Sequence, residues 1–147
     1  MTIETGAQAP TFTLPDTAEG HEHDLSAALQ RGPVIVGIYK SSCGASKAMF
    51  PMLERIAQAY PSDKLTVLGV AQDSANVTRS FARRSGVTFP LLIEGDEYPV
   101  SKAYDIEATP TVYLIDQNGD IVWQTMGFQK SGVEELSSKV AELIGTE

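Results

Sequence analysis

The chain has 147 residues, of which 42% are hydrophobic and 20% charged, so its length and composition fit one globular domain over residues 1–147. Its net charge of −8, without any run of lysines and arginines, excludes nucleic acid as an expected partner because a polyanion would be repelled. The longest apolar stretch, Val34–Tyr39, is too short to span a bilayer. Since the first residues carry no signal-peptide pattern, we expect a cytoplasmic location, with an exported form whose signal was trimmed as the alternative.

The first third of the sequence predicts short N-terminal elements followed by a buried strand. Apolar and polar residues alternate over residues 9–14, as in a short edge strand. A polar turn over residues 16–24 and a short helix over Leu25–Leu29 follow. Val34–Tyr39 is apolar throughout and rich in β-branched residues, which predicts a strand buried on both faces.

Two helices and a strand are predicted next. Apolar residues recur at helical spacing over residues 44–60, and Pro51 should bend this helix because it removes one backbone hydrogen bond. A strand over residues 64–71 and a helix over Ala75–Ser85 follow.

The last third predicts a strand over residues 89–93, a short helix over 100–104, a β-hairpin and a final helix. The hairpin joins residues 111–116 to 121–125 through a turn whose Asn-Gly pair is typical of hairpins. The final helix has an apolar stripe of Val133, Leu136, Val140 and Leu143. Because strands and helices alternate in the middle of the chain, we expect an α/β domain with a central mixed sheet, helices on both faces and an antiparallel edge.

The single cysteine, Cys43, follows the strand Val34–Tyr39 and immediately precedes the first long helix. Ligands of such sheets bind beyond the carboxyl ends of the strands. A thiol at a helix start faces unpaired amides and the positive end of the helix dipole, which favour the thiolate, and Lys40 and Lys47 add positive charge. With one cysteine, any redox cycle needs a second sulfur from another molecule. A buried, unreactive cysteine is the alternative.

Three short segments resemble known proteins. Residues 43–47, Cys-Gly-Ala-Ser-Lys, with a proline at position 51, resemble the active-site helix of thioredoxins. Residues 6–12 are similar to the N-terminal extension of AhpC/TSA and TlpA/ResA-like redoxins, and residues 108–111, Ala-Thr-Pro-Thr, to the loop that faces the thiol in those proteins. The resemblance implies a thioredoxin fold with an N-terminal β-extension and an inserted βα unit.

The resemblance also implies roles for individual residues. Cys43 would be the catalytic thiol, and Pro110 a cis-proline opposite it. The expected substrate-binding residues are Gly44, Ala45, Thr109 and Pro110.

One departure from the thioredoxin pattern decides the expected mechanism. Ser46 stands where thioredoxins have the second, resolving cysteine, and Met49 stands where some TlpA/ResA-like proteins have a glutamate. The Ser46 hydroxyl can donate a hydrogen bond to a Cys43 thiolate but cannot attack a mixed disulfide. The resemblance therefore implies a thiol–disulfide oxidoreductase with Cys43 and Ser46 as catalytic residues and no cofactor, which is resolved by an external thiol such as glutathione or a protein dithiol.

Two other functions remain open on the sequence. A one-cysteine peroxiredoxin would reduce peroxide through the same thiol. However, Lys40 stands where its pattern has threonine, and Arg79, Arg83 and Arg84 lie on a predicted helix rather than beside the thiol. A non-enzymatic interaction module is the third possibility. The expected partners are protein or small disulfides and thiols, with peroxide as a further candidate, and the chain would be a monomer or a homodimer.

A metal site is not predicted. His21 and His23 are alternate residues and could share one face of a strand, but two exposed histidines in a polar turn are far more common than a metal site.

Overall fold

The structure is a computed structural model that describes residues 4–145. The N-terminal half contains β1 (Thr13–Pro15), β2 (Glu22–Asp24), α1 (Leu25–Leu29), β3 (Val34–Tyr39), α2 (Gly44–Ala59) and β4 (Thr66–Ala71). The C-terminal half contains α3 (Ala75–Ser85), β5 (Leu91–Ile93), α4 (Pro99–Ala103), β6 (Thr111–Ile115), β7 (Ile121–Met126) and α5 (Lys130–Ile144). In the described range, no helix combines the length and apolar character that crossing a bilayer requires.

The central sheet has the strand order β5-β4-β3-β6-β7. Strand β3 lies in its middle, parallel to β4 and antiparallel to β6, and all six of its residues are buried. Strands β1 and β2 form a separate antiparallel pair. The predicted mixed α/β sheet, the β-extension and the C-terminal hairpin are therefore confirmed.

Side chains of β3 alternate between two hydrophobic cores, one on each face of the sheet. Ile35 and Tyr39 belong to the core under α2, α3 and α5, whereas Val36 and Ile38 belong to the core under α1 and α4. Both cores reach the carboxyl end of β3, where α2 begins. The end of β3, from which the chain enters α2, is thus packed on both faces of the sheet.

Helix α2 lies close to the sheet because the strands beneath it carry glycine. A Cβ atom at Gly69 would lie 3.2 Å from Cε2 of Phe50 and 2.7 Å from Cδ2 of Leu91. At Gly37, the partner of Gly69 in β3, an added Cβ would lie 3.5 Å from Cδ1 of Leu53. These two glycines therefore set the depth at which the helix that follows Cys43 packs.

The strands of the N-terminal extension have different bounds from those predicted. Strand β1 contains only the last two residues of the predicted strand 9–14, and the predicted polar turn 16–24 ends in strand β2. Polar contacts replace the missing apolar pattern: Thr13 donates to the Asp24 carboxylate at 2.7 Å, and the Asp16 carboxylate accepts the Gly20 amide at 3.1 Å. An exposed strand held in this way has no hydrophobic periodicity to detect.

Two strands begin later than predicted, and a proline is involved in each case. The amides of Lys64 and Leu65 donate to the carbonyl of Pro61, so they are part of a turn and β4 begins at Thr66. Strand β5 begins at Leu91, directly after Pro90, which has no amide N–H to contribute to a ladder. Helix α2 continues through Pro51 as one uninterrupted helix.

Candidate active site

Cys43 lies between the carboxyl end of β3 and the first turn of α2. It is the N-cap residue of the helix, with extended backbone angles (φ −85°, ψ 123°), and its carbonyl accepts the first helical hydrogen bond from the Lys47 amide at 3.1 Å. Its side chain is partly exposed. The sulfur therefore faces the free amides of the helix start and remains accessible.

Hydrogen-bond donors around the sulfur lower the pKa of Cys43 below its ordinary value. The largest contribution comes from the amide of Ser46. Burial opposes it, and the Ser46 hydroxyl, the Ala45 amide and the Thr109 side chain lower the pKa further. The predicted contribution of Lys40 and Lys47 is not among these causes. Donors on the protein, rather than neighbouring cations, therefore favour the thiolate.

Ser46 is fully buried, and within residues 4–145 its hydroxyl oxygen has no hydrogen-bond partner. That same hydroxyl lowers the pKa of Cys43, because an ionised sulfur is a strong acceptor for it. Ionisation of Cys43 thus satisfies a buried polar group that is otherwise unpaired. The catalytic role of Ser46 stays a prediction from the sequence.

The Thr109–Pro110 peptide faces the thiol. The Cys43 thiol donates to the Thr109 carbonyl oxygen, with 3.4 Å between Sγ and O, and the Thr109–Pro110 bond is cis, as predicted. Pro110 is buried, whereas Thr109 is partly exposed. Two segments that are distant in sequence, the start of α2 and the loop before β6, therefore meet at the sulfur.

Gly44 and Ala45 border the thiol on the helix side. Gly44 is exposed, and a Cβ atom built there would meet no atom within 4 Å, so the space beside the sulfur is open. The structure thus brings the predicted site residues together around Cys43, with Pro110 beneath the surface.

Sequence reasoning missed Asp73, which holds the loop that leads into the site. Its carboxylate accepts the amide of Ser41 at 2.8 Å, two residues before Cys43. The pKa of Tyr39 is raised mainly by burial of its own hydroxyl and secondly by the negative charge of Asp73. This Tyr39 hydroxyl has no hydrogen-bond partner among residues 4–145. Asp73 follows β4 at the same edge of the sheet as Cys43, and this placement was the available signal.

A second missed group is Glu94, a buried carboxylate after β5. It accepts the amides of Val100 and Ser101, both at 2.9 Å, and the Ser101 hydroxyl. Gln72 donates to that same hydroxyl at 2.9 Å. These contacts join the ends of β4 and β5 to α4, and the chain then leads from α4 to Thr109.

The other candidate groups lie elsewhere. Arg79 and Arg84 bond to neighbours on α3, and no arginine of the described part bonds to the Cys43 sulfur. His23 bonds to Asp16 at 2.8 Å and His21 to Glu19 at 3.5 Å. No group of three or more potential metal ligands occurs between residues 4 and 145.

Comparisons with known proteins agree with this geometry. Residues 5–124 match the AhpC/TSA family. The thiol-disulfide oxidoreductase ResA of Geobacillus kaustophilus is 31% identical over 120 residues, which are 81% of this chain and 67% of that protein. The chain therefore spans about two thirds of the length of this relative.

Solved structures add the fold. The thioredoxin domain of the thiol-disulfide oxidoreductase BVU-2223 from Bacteroides vulgatus superimposes with a TM-score of 0.83 at 20% identity, covering 95% of this chain and 99% of that one. Peroxidoxin BcpB from Mycobacterium tuberculosis superimposes with a TM-score of 0.81 at 18% identity, covering 99% of both chains. At these identities the likeness shows the fold alone, and the fold is shared by proteins of both names. The chain has a thioredoxin-like fold and belongs to the AhpC/TSA family.

Proposed function

We propose that this chain is a thiol–disulfide oxidoreductase that works through Cys43 alone and depends on an external thiol for release of the product. The observation that carries the proposal is the thiol at the start of α2 with a lowered pKa, beside a buried serine at the position of a resolving cysteine. The similarity to ResA, which is named a thiol-disulfide oxidoreductase, supports the same class of reaction.

The reaction has two exchange steps. The Cys43 thiolate attacks one sulfur of a disulfide, forms a mixed disulfide with it and expels the other sulfur as a thiolate. An external thiolate then attacks the mixed disulfide, and Cys43 leaves as a thiolate again. The external thiol thereby forms a new disulfide with the half of the substrate that Cys43 had held, and the protein is unchanged over the cycle. A second external thiol that attacks this new disulfide completes the two-electron reduction, so that two external thiols end as one disulfide.

The residues around the sulfur have distinct parts in this scheme. The Ser46 amide and hydroxyl hold the thiolate before attack and stabilise it as a leaving group in the second step. Gly44 and Ala45 leave room for the substrate on the helix side, and the exposed part of Thr109 borders it on the other. Pro110 follows Thr109 and is buried, so it supports this side of the site from the protein interior.

The test is modification of Cys43 by oxidised glutathione under native conditions, followed by intact-mass analysis. We expect a single glutathione adduct that a dithiol removes, and no adduct on the Cys43→Ser variant. Failure of native Cys43 to form the adduct would contradict the proposal. A fast second-order reaction with hydrogen peroxide, together with slow disulfide exchange, would instead support peroxide reduction.

Cytoplasmic location, a single domain over residues 1–147 and a monomer or homodimer stay predictions from the sequence.

A further inference from the structure

A groove between α2 and α3 lies beside the candidate active site. It has a volume of about 280 Å³ and is lined by Lys47, Pro51, Phe81, Arg84 and Ser85. Phe81 is buried and forms an apolar floor, whereas Lys47 and Arg84 are exposed at the rim. A depression of this size fits part of a small ligand rather than a protein surface.

The groove is cationic in a protein of net charge −8. Neither Lys47 nor Arg84 makes an ion pair with a carboxylate of the described part, and none of the lining residues is acidic. Two like charges beside one cleft repel each other, and an anion between them would remove that repulsion. The charge of the groove therefore fits a carboxylate.

The groove is within reach of the catalytic sulfur. Lys47 is one helical turn from Cys43, about 6 Å along the axis, and Pro51 is two turns away, about 12 Å. An extended tripeptide spans about 10 Å. A tripeptide thiol bound through its sulfur at Cys43 can thus place a carboxylate beside Lys47 and Arg84.

We propose that this groove binds a carboxylate of a small peptide disulfide or thiol of the size and charge of glutathione. The inference rests on the proposed function and names its substrate class. In the step concerned, the Cys43 thiolate attacks one sulfur of oxidised glutathione, forms the protein–glutathione disulfide and releases one glutathione thiolate. Lys47 and Arg84 act as binding residues and take no part in the electron transfer.

The test compares the rates at which Cys43 reacts with oxidised glutathione and with the neutral 2-hydroxyethyl disulfide. In the Lys47→Gln/Arg84→Gln variant, we expect the ratio of the glutathione rate to the neutral rate to fall about fivefold or more, because only the anionic reagent uses the groove. The matched control is Arg83→Gln, which removes an exposed cation of α3 that does not line the groove. Its ratio should equal that of the native protein.

Two outcomes would overturn the inference. If both rates fall equally in the double variant, the cations act on the thiol and not on the reagent. If Arg83→Gln lowers the ratio as much, the effect is general surface charge. Failure of the native protein to react with either disulfide would contradict the proposed function itself, so the two failures are distinguishable.

Discussion

At the scale of single residues, the reactivity of Cys43 depends on donors that a folded helix start supplies. The amide of Ser46 is the largest of them, and it is present whatever the side chain at position 46. The Ser46 hydroxyl is a separate donor that is buried and has no hydrogen-bond partner among residues 4–145. The two contributions can therefore be separated by substitution.

Replacing Ser46 with alanine should raise the pKa of Cys43, because the hydroxyl donor is lost while the amide remains. The midpoint of the pH profile of Cys43 alkylation by iodoacetamide should therefore move to higher pH than in the native protein. Near pH 7, the alkylation rate of the variant should be severalfold lower than that of the native protein. The matched control is Ser42→Ala, since Ser42 is exposed and is not among the causes of the shift. An unchanged alkylation midpoint in Ser46→Ala would show that the hydroxyl does not reach the sulfur.

Replacing Ser46 with cysteine should add the missing resolving thiol. Residues three apart at a helix start are neighbours, and a cysteine adds little volume at this buried position. We expect the Ser46→Cys variant to release bound glutathione without an external thiol and to form an intramolecular disulfide, as intact mass would show. Persistence of the glutathione adduct, with the same lifetime as in the native protein, would contradict this geometry.

At the scale of elements, the loop carrying Thr109 is connected to the sheet through α4. The buried Glu94 carboxylate accepts hydrogen bonds from the amides of Val100 and Ser101, in the first turn of α4, and from the Ser101 hydroxyl. Helix α4 has only five residues, too short to be stable by itself. Glu94 therefore stabilises the segment from which the chain enters the active-site loop.

The Glu94→Ala variant should lose about 1–3 kcal/mol of unfolding free energy, because it leaves buried donors without an acceptor. Glu94→Gln should lose less, since its amide oxygen still accepts one of these hydrogen bonds. The control Glu97→Ala, at an exposed position after β5, should stay within about 0.5 kcal/mol of the native protein. Urea denaturation measures all three, and equal losses in Glu94→Ala and Glu97→Ala would contradict the role given to Glu94.

Elements with a local cause could be predicted from the sequence, and contacts across the fold could not. Strand β3 matches its prediction because a continuous apolar run marks it, and α3 does because Ser74 caps its start and Gly86 ends it with a positive φ. Strand β2 was missed because its contacts are polar and exposed. In the site, Cys43 and Ser46 were visible as neighbours in sequence.

Hydrogen bonds between residues far apart in the sequence have no pattern from which they could be predicted. Asp73 is 32 positions from Ser41, whose amide it accepts, and only the sheet brings them together. The Cys43 sulfur and the Thr109 carbonyl are 66 positions apart, and a family resemblance rather than periodicity predicted their contact.

At the scale of the whole molecule, each of the two cores contains at least one fully buried tyrosine. Tyr39 lies in the core under α2, and its hydroxyl has no hydrogen-bond partner in the described part. Tyr104 lies in the other core, and its hydroxyl donates to the Pro10 carbonyl at 2.6 Å, joining α4 to the N-terminal extension. The Tyr104 hydroxyl thus stabilises the fold through a hydrogen bond, whereas the Tyr39 hydroxyl is buried without one.

The substitutions Tyr39→Phe and Tyr104→Phe should therefore differ in stability. Tyr104→Phe removes the hydrogen bond to Pro10 and should lose about 1 kcal/mol of unfolding free energy. Tyr39→Phe removes an unpartnered hydroxyl and should be neutral or stabilising. Urea denaturation near pH 7 decides this, and a larger loss in Tyr39→Phe would show that its hydroxyl has a partner.

Alkaline pH should act on both tyrosines in the same direction. Burial raises the pKa of each above the ordinary value of 10, to which Asp73 adds for Tyr39 and Tyr113 for Tyr104. Since the unfolded chain ionises near pH 10 and the folded one does not, the stability contributed by the neutral rings is complete below that pH and is lost as the pH rises above it. We expect the unfolding free energy to fall progressively as the pH rises above about 10.

Each Tyr→Phe variant should lose less stability over this pH interval than the native protein, and the double variant least, because fewer hydroxyls ionise on unfolding. Lysine titration is common to all four proteins and cancels in the comparison. If the four curves were parallel above pH ~10, the buried hydroxyls would ionise as readily in the folded protein as in the unfolded chain, against their burial in two separate cores.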